Sequence, residues 1–135
     1  EGKLFNCFAS GEVTLPAAQT SYAGGIAGYH NTNARAEGCV ALNTGISGKY
    51  TGRIGYKNGT VFGTNWGLDA VEKNGAAGAW TSDETGKDGA AVSAEECALE
   101  AWWRDNADWD SVWGLSDDAP WQWNGEAQRP YFWFE

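Results

Sequence analysis

Apolar and polar residues alternate along the first fifteen positions. Phe5, Cys7 and Ala9 fall on one side of an extended chain, and Val13 and Leu15 continue the pattern beyond Gly11. A period of two predicts half-buried strands. Gly11 reads as a turn, and Pro16, which has no N–H for a central ladder, ends the run. Residues 38–56 follow the same strand–turn–strand course with a wider corner at Asn43-Thr44. Between these runs, residues 22–29 are too glycine-rich for an ordinary exposed strand and suit closely stacked backbones that bend at corners. His30–Glu37 reads as a polar turn and Lys57-Asn58-Gly59-Thr60 as a tight one. Val61-Phe62 then opens a third course.

The courses are copies of one another. Tyr22-Ala23-Gly24-Gly25-Ile26-Ala27-Gly28-Tyr29 returns as Tyr50-Thr51-Gly52-Arg53-Ile54-Gly55-Tyr56, and Cys7 and Cys39 head matching runs 32 positions apart. Thr64-Asn65-Trp66-Gly67-Leu68 stands where the next such run falls. A period near thirty residues predicts stacked units, each completing the core of its neighbours. The fold class expected is mostly β: a short right-handed parallel β-helix, its hand following the rule for parallel crossovers.

The Gly25-Ile26-Ala27-Gly28 signature, alternating with Asn6-Cys7-Phe8-Ala9-Ser10-Gly11, resembles the GLUG repeat of bacterial surface proteins. The resemblance covers residues 4–70. In the second copy Gly52-Arg53-Ile54-Gly55 lacks the double glycine and places arginine where an apolar residue is expected. Cys7, Gly24, Gly25, Ile26, Gly28, Cys39, Gly52, Ile54 and Gly55 are the positions that carry the repeat. The tryptophan-rich tail is similar to the segment that closes such arrays. The resemblance implies architecture and a bacterial, extracellular setting, secreted or attached to the cell surface, rather than a chemistry.

The organisation expected is therefore repeat courses over 1–70, a surface excursion over 71–92 anchored by Trp80, and a C-terminal cap over 93–135. In the cap, Ser93-Ala94-Glu95-Glu96 is a capping box opening a helix to about Arg104, with Cys97, Leu99 or Glu100, and Trp103 on one face. Residues 112–115, 121–123 and 131–133 read as short strands, the last two joined across Asn124-Gly125, with Pro130 at the start of its strand. Starting within a repeat at Glu1, the chain reads as the C-terminal piece of a longer array, whose preceding repeats would cover the open edge of the first course. A second copy could meet that edge as well.

Composition narrows the partners. With a formal charge of −9 and no basic cluster, the chain lacks the Lys/Arg footprint that phosphate backbones require. Nucleic acid is not expected, and neither is membrane insertion, for which no apolar run is long enough. Three cysteines make no disulfide framework. Stacking places Cys7 and Cys39 one rung apart, as two buried thiols or as a disulfide; Cys97 reads as a core-facing thiol.

Nine tryptophans are the compositional outlier, six of them between Trp102 and Trp123. They fill the core of a small cap, or they form a platform on which sugar rings stack. Trp121 and Trp123 share a strand face, and with Trp109 and Trp113 they are the candidate ligand-binding residues. Asp105, Asp108 and Asp110 are a weak calcium candidate, without EF-hand spacing; the default for them is solvated loop charge. No cofactor is expected. His30 has no nucleophile motif beside it, and no catalytic residue is assigned. The expected function is a non-catalytic extracellular module, an adhesin or structural stalk. A carbohydrate-binding module is the alternative, and an accessory domain of a larger surface enzyme the third reading.

Overall fold

The computed structural model describes residues 2–16, 20–31, 33–57, 62–106, 109–114 and 119–132. The chain is mostly β, with a curled, half-barrel-like sheet and little helix. The first course holds β1 (Lys3–Phe5), β2 (Phe8–Thr14), β3 (Tyr22–Gly24) and β4 (Ala27–His30). The second holds β5 (Arg35–Glu37), β6 (Val40–Ser47), β7 (Tyr50–Gly52) and β8 (Gly55–Lys57). Each strand of the first course lies parallel to its counterpart in the second. Lys3 is opposite Arg35, Phe8 opposite Val40, Tyr22 opposite Tyr50 and Ala27 opposite Gly55. The copies seen in the sequence are thus rungs of parallel ladders.

Gly11 does not turn the chain. It sits inside β2 at φ 95°, beside the point where Thr44 is inserted opposite the Gly11–Glu12 step as a bulge. The wide corner anticipated at Asn43-Thr44 is that bulge.

Residues 71–92, read above as a surface excursion, return to the sheet. After β9 (Trp66–Leu68), the strand β10 (Glu72–Lys73) pairs with β6 and with β11 (Ala76–Ala77). Then β12 (Ala90–Val92) lies parallel to β9, with Ala90 opposite Trp66. The one large six-stranded sheet contains β2, β6, β9, β10, β11 and β12. Trp80 does anchor the segment, its indole N–H donating to the Val71 carbonyl at 2.7 Å.

Alternation decides which core each residue joins. Cys39 and Ala41 point inward to Ala36, Ile54 and Phe62, with Leu4, Cys7 and Ile26 against them. Val40 points the other way, beneath the tryptophans of the cap. A third cluster of Ala23, Ile46 and Val71 fills the far end. The glycine density follows from the tightness of the stack: a β-carbon on Gly24 would lie 2.1 Å from the Ala27 carbonyl oxygen and 2.6 Å from the Gly55 α-carbon. Nothing larger than hydrogen fits between those rungs.

Arg53, at the ladder position of Gly25, is buried to 1% exposure. Its guanidinium donates to the carbonyls of Asp88 (2.9 Å), Gly67 (2.8 Å), Leu68 (3.1 Å) and Gly89 (3.0 Å). Asp88, also buried, accepts from the backbone N–H groups of Arg53 and Thr81. Burial pulls the arginine pKa down, and the carboxylates of Asp88 and Asp69 oppose that shift.

His30 also departs from the sequence reading. It ends β4 instead of lying in a polar turn, is 3% exposed, and meets the Phe62 ring edge-on at 4.7 Å. Among the described residues neither ring nitrogen has a hydrogen-bond partner. Burial therefore lowers its pKa below the ordinary value of 6.5. The folded chain then binds fewer protons than the unfolded chain, so stability falls as pH drops through the unfolded pKa. His30→Phe is expected to lose less stability than the wild type between about pH 7 and about pH 5, as urea midpoints would read. Parallel losses in the two proteins would remove His30 as the source.

Candidate ligand-binding groove

The cap begins where the sequence places it. Ser93 and Glu96 form the reciprocal capping box of α1 (Ala94–Cys97). The helix then breaks: Leu99 is extended and 59% exposed, and α2 runs Glu100–Asp105. Trp103 stabilises the break, since its indole N–H donates to the Cys97 carbonyl at 2.8 Å, one of the acceptors left open where α1 ends. Cys97 is buried with a free thiol whose pKa burial pushes up to about 12. A 3₁₀ turn (Trp109–Val112) follows where a strand was expected over 112–115, and residues 115–118 lie outside the described residues. The hairpin of β13 (Trp121–Asn124) and β14 (Arg129–Phe132) closes the cap. Pro130 is the second residue of β14, opposite Trp123.

Two of the four tryptophans singled out as ligand-binding are core. Trp109 is 1% exposed and donates to the Gly38 carbonyl at 2.6 Å; Trp121 is 6% exposed and donates to the Asn6 carbonyl at 3.1 Å. Both rings pack into an aromatic set with Phe8, Trp103 and Phe132, in which Trp121 stacks on Phe132 and the other contacts are tilted or edge-to-face. The shelf imagined from Trp121 and Trp123 does not form, because that strand face turns towards the outer side of β2 and β6 and Trp121 is buried against it.

Trp113 and Trp123 stay half-buried and wall a groove of about 290 Å³ with Glu100, Arg104, Gly114 and Gln122. Arg104 lies over the Trp113 ring, its guanidinium carbon 4.6 Å from the centroid. Glu100 accepts from Arg104 at 2.8 and 2.9 Å, one helical turn apart, and Asp110 accepts at 3.0 Å. Gln122 accepts from the Tyr131 hydroxyl at 2.6 Å. Glu100, Arg104 and Gln122 were not picked from the sequence, although a Glu–Arg pair four apart on a helix is a readable signal. The arrangement offers half-exposed indoles with hydrogen-bonding groups at their rim.

The calcium candidate falls partly outside the described residues. Asp110 is committed to Arg104, Asp105 lies at the end of α2, and Asp108 is outside the described residues. Among the described residues no three acid, thiol or imidazole groups gather as ligands. A larger cavity of about 440 Å³ lies between β1, β5 and the cap, with Glu37 and Asp105 in its wall. Its aromatic residue, Phe5, already carries Arg35 over its ring, and Arg35 also pairs with Glu37.

Cys7 and Cys39 lie side by side as free thiols, Cys7 half-buried and Cys39 buried. A hydrogen bond from Cys39 lowers the Cys7 pKa to about 7, and the same contact raises that of Cys39. Tyr22, Tyr29, Tyr50 and Tyr56 cluster along β3, β4, β7 and β8, with Tyr22 stacked on Tyr50 at 5.2 Å and Tyr29 on Tyr56 at 6.4 Å. No described helix is long and apolar enough to cross a membrane. No family model, curated protein or solved structure matches the chain.

Proposed function

We propose that this chain is a non-catalytic extracellular repeat module of a bacterial surface or secreted protein, built as a short right-handed parallel β-helix of the GLUG type. It serves as a stalk or adhesive surface. The observation that supports this most is the matched register of the two courses, with Tyr22 opposite Tyr50 and Gly24 opposite Gly52. Stacked courses of this kind make a stiff body with broad faces, which suits display and contact more than enclosure of a substrate. Its acidic surface favours solubility over anion binding. The strands β1 to β4 pair on one side alone among the described residues, so a further course or a second copy would add there.

A second reading, glycan binding through tryptophan, is favoured by one observation: Trp113 and Trp123 stay half-buried at one groove, while Trp109 and Trp121 are buried in the cap core. The test of the first reading is protease shaving of intact producing cells followed by mass spectrometry of the released peptides. Peptides of this chain are expected in the shaved or secreted fraction. Confinement to the cytosol would overturn the proposal.

A further inference from the structure

We infer that the groove between α2 and β13 binds a short stretch of neutral oligosaccharide, with Trp123 as the stacking platform. This rests on the glycan reading above and gives it a site and a ligand class. Among the described residues, Trp66, Trp102, Trp103, Trp109, Trp113 and Trp121 each meet another ring, and Trp80 takes the Lys73 ammonium. Trp123 meets neither a ring nor a cation in that set, and its indole N–H has no partner there. Trp123 packs against the cap core and is half-exposed at the groove, and a half-exposed indole at a concave site is what a sugar's C–H face covers.

The rim supplies the polar half of the recognition. Gln122 uses its carbonyl for Tyr131, which leaves its amide N–H groups to donate. Glu100 uses Oε1 for Arg104, which leaves Oε2 to accept. Neighbouring hydroxyls of a pyranose both donate and accept, so they complement such a rim.

Charge selects the class. Arg104 is held by Glu100 and Asp110, both carboxylates, so among the described residues no unopposed cation lines the groove. In a chain of formal charge −9, a uronic or sulfated sugar meets repulsion there. The volume, about 290 Å³, is at the small end for ligand sites, so the glycan lies across the groove without being engulfed. The tyrosine cluster is the rival aromatic surface: its rings pack on one another, Lys49 lies over Tyr50, and Tyr29 stays 45% exposed, so a titration must be read at both places.

The experiment is a titration of ¹⁵N-labelled protein with cellohexaose, mannohexaose and hexagalacturonate, following the indole and backbone N–H signals. A neutral hexaose is expected to shift Trp123 and Trp113 saturably. Trp103 and Trp109, whose N–H groups are bonded to Cys97 and Gly38, should stay in place. Trp123→Ala should weaken binding by about tenfold or more. If that variant does not fold, Glu100→Gln, expected to weaken binding several-fold, and the wild-type shift map still decide the matter. Neutral binding that maps to Tyr22 and Tyr50 would keep the glycan reading and remove this groove. Binding of hexagalacturonate alone would overturn neutrality, and no binding by any of the three would remove both the site and the glycan reading.

Discussion

Arg53→Met is expected to destabilise the fold by about 3–5 kcal/mol, the range for removing one partner from a buried ionic network. Methionine fills much of the arginine's volume, so the loss would come from polarity rather than from a hole. Four carbonyls, of Asp88, Gly67, Leu68 and Gly89, would lose their charged donor inside the protein. Asp88 would lose the charge of Arg53 nearby and keep Lys87, whose ammonium lies 3.8 Å from its carboxylate. Such a loss is a large share of the roughly 5–15 kcal/mol that holds a domain together. Equilibrium urea unfolding followed by circular dichroism reads it. A loss below about 1 kcal/mol would mean that water takes over the carbonyls and that Arg53 is not the pin of the 66–92 segment.

Trp109→Ala is the second large effect, about 3–5 kcal/mol, as for other buried tryptophans cut to alanine. The ring contacts Trp103 at 4.9 Å and Trp121 at 5.2 Å, and the Gly38 carbonyl would be left without its indole donor. Trp109→Phe separates the two contributions: it keeps most of the packing and loses the hydrogen bond, for about 1–2 kcal/mol. Equal losses from both substitutions would assign the whole effect to the bond. A stable alanine variant would show that the cap does not depend on this ring.

The parts of the fold that repeat were legible because repetition is itself a long-range signal. Matching Tyr22 to Tyr50 in sequence predicts their pairing, and the capping box at Ser93 is local chemistry. Arg53 was harder, since its four acceptors come from residues 67–89 and no local pattern announces that they converge. His30 sits among asparagines and threonine in sequence, yet Gly55 and Phe62, distant in sequence, lie against it. For the groove, alternation puts Trp121 and Trp123 on one face but does not say how deeply each is buried. Trp121 reaches Phe8 and Asn6, while Trp123 comes to rest at the edge of α2.

The two indole hydrogen bonds from the cap also join distant parts of the chain. Trp109 holds Gly38, and Trp121 holds Asn6 across 115 positions. Strands that pair only with their neighbours tend to fray from an open end. Here the earliest strands are clasped by the last hairpin, which ties fraying at one end to opening at the other. The same clasp sets an order on a ribosome: the first course emerges early, yet its outer face stays uncovered until the tryptophans are translated. Until then the exposed ring of Phe8 and its neighbours is a surface for chaperones.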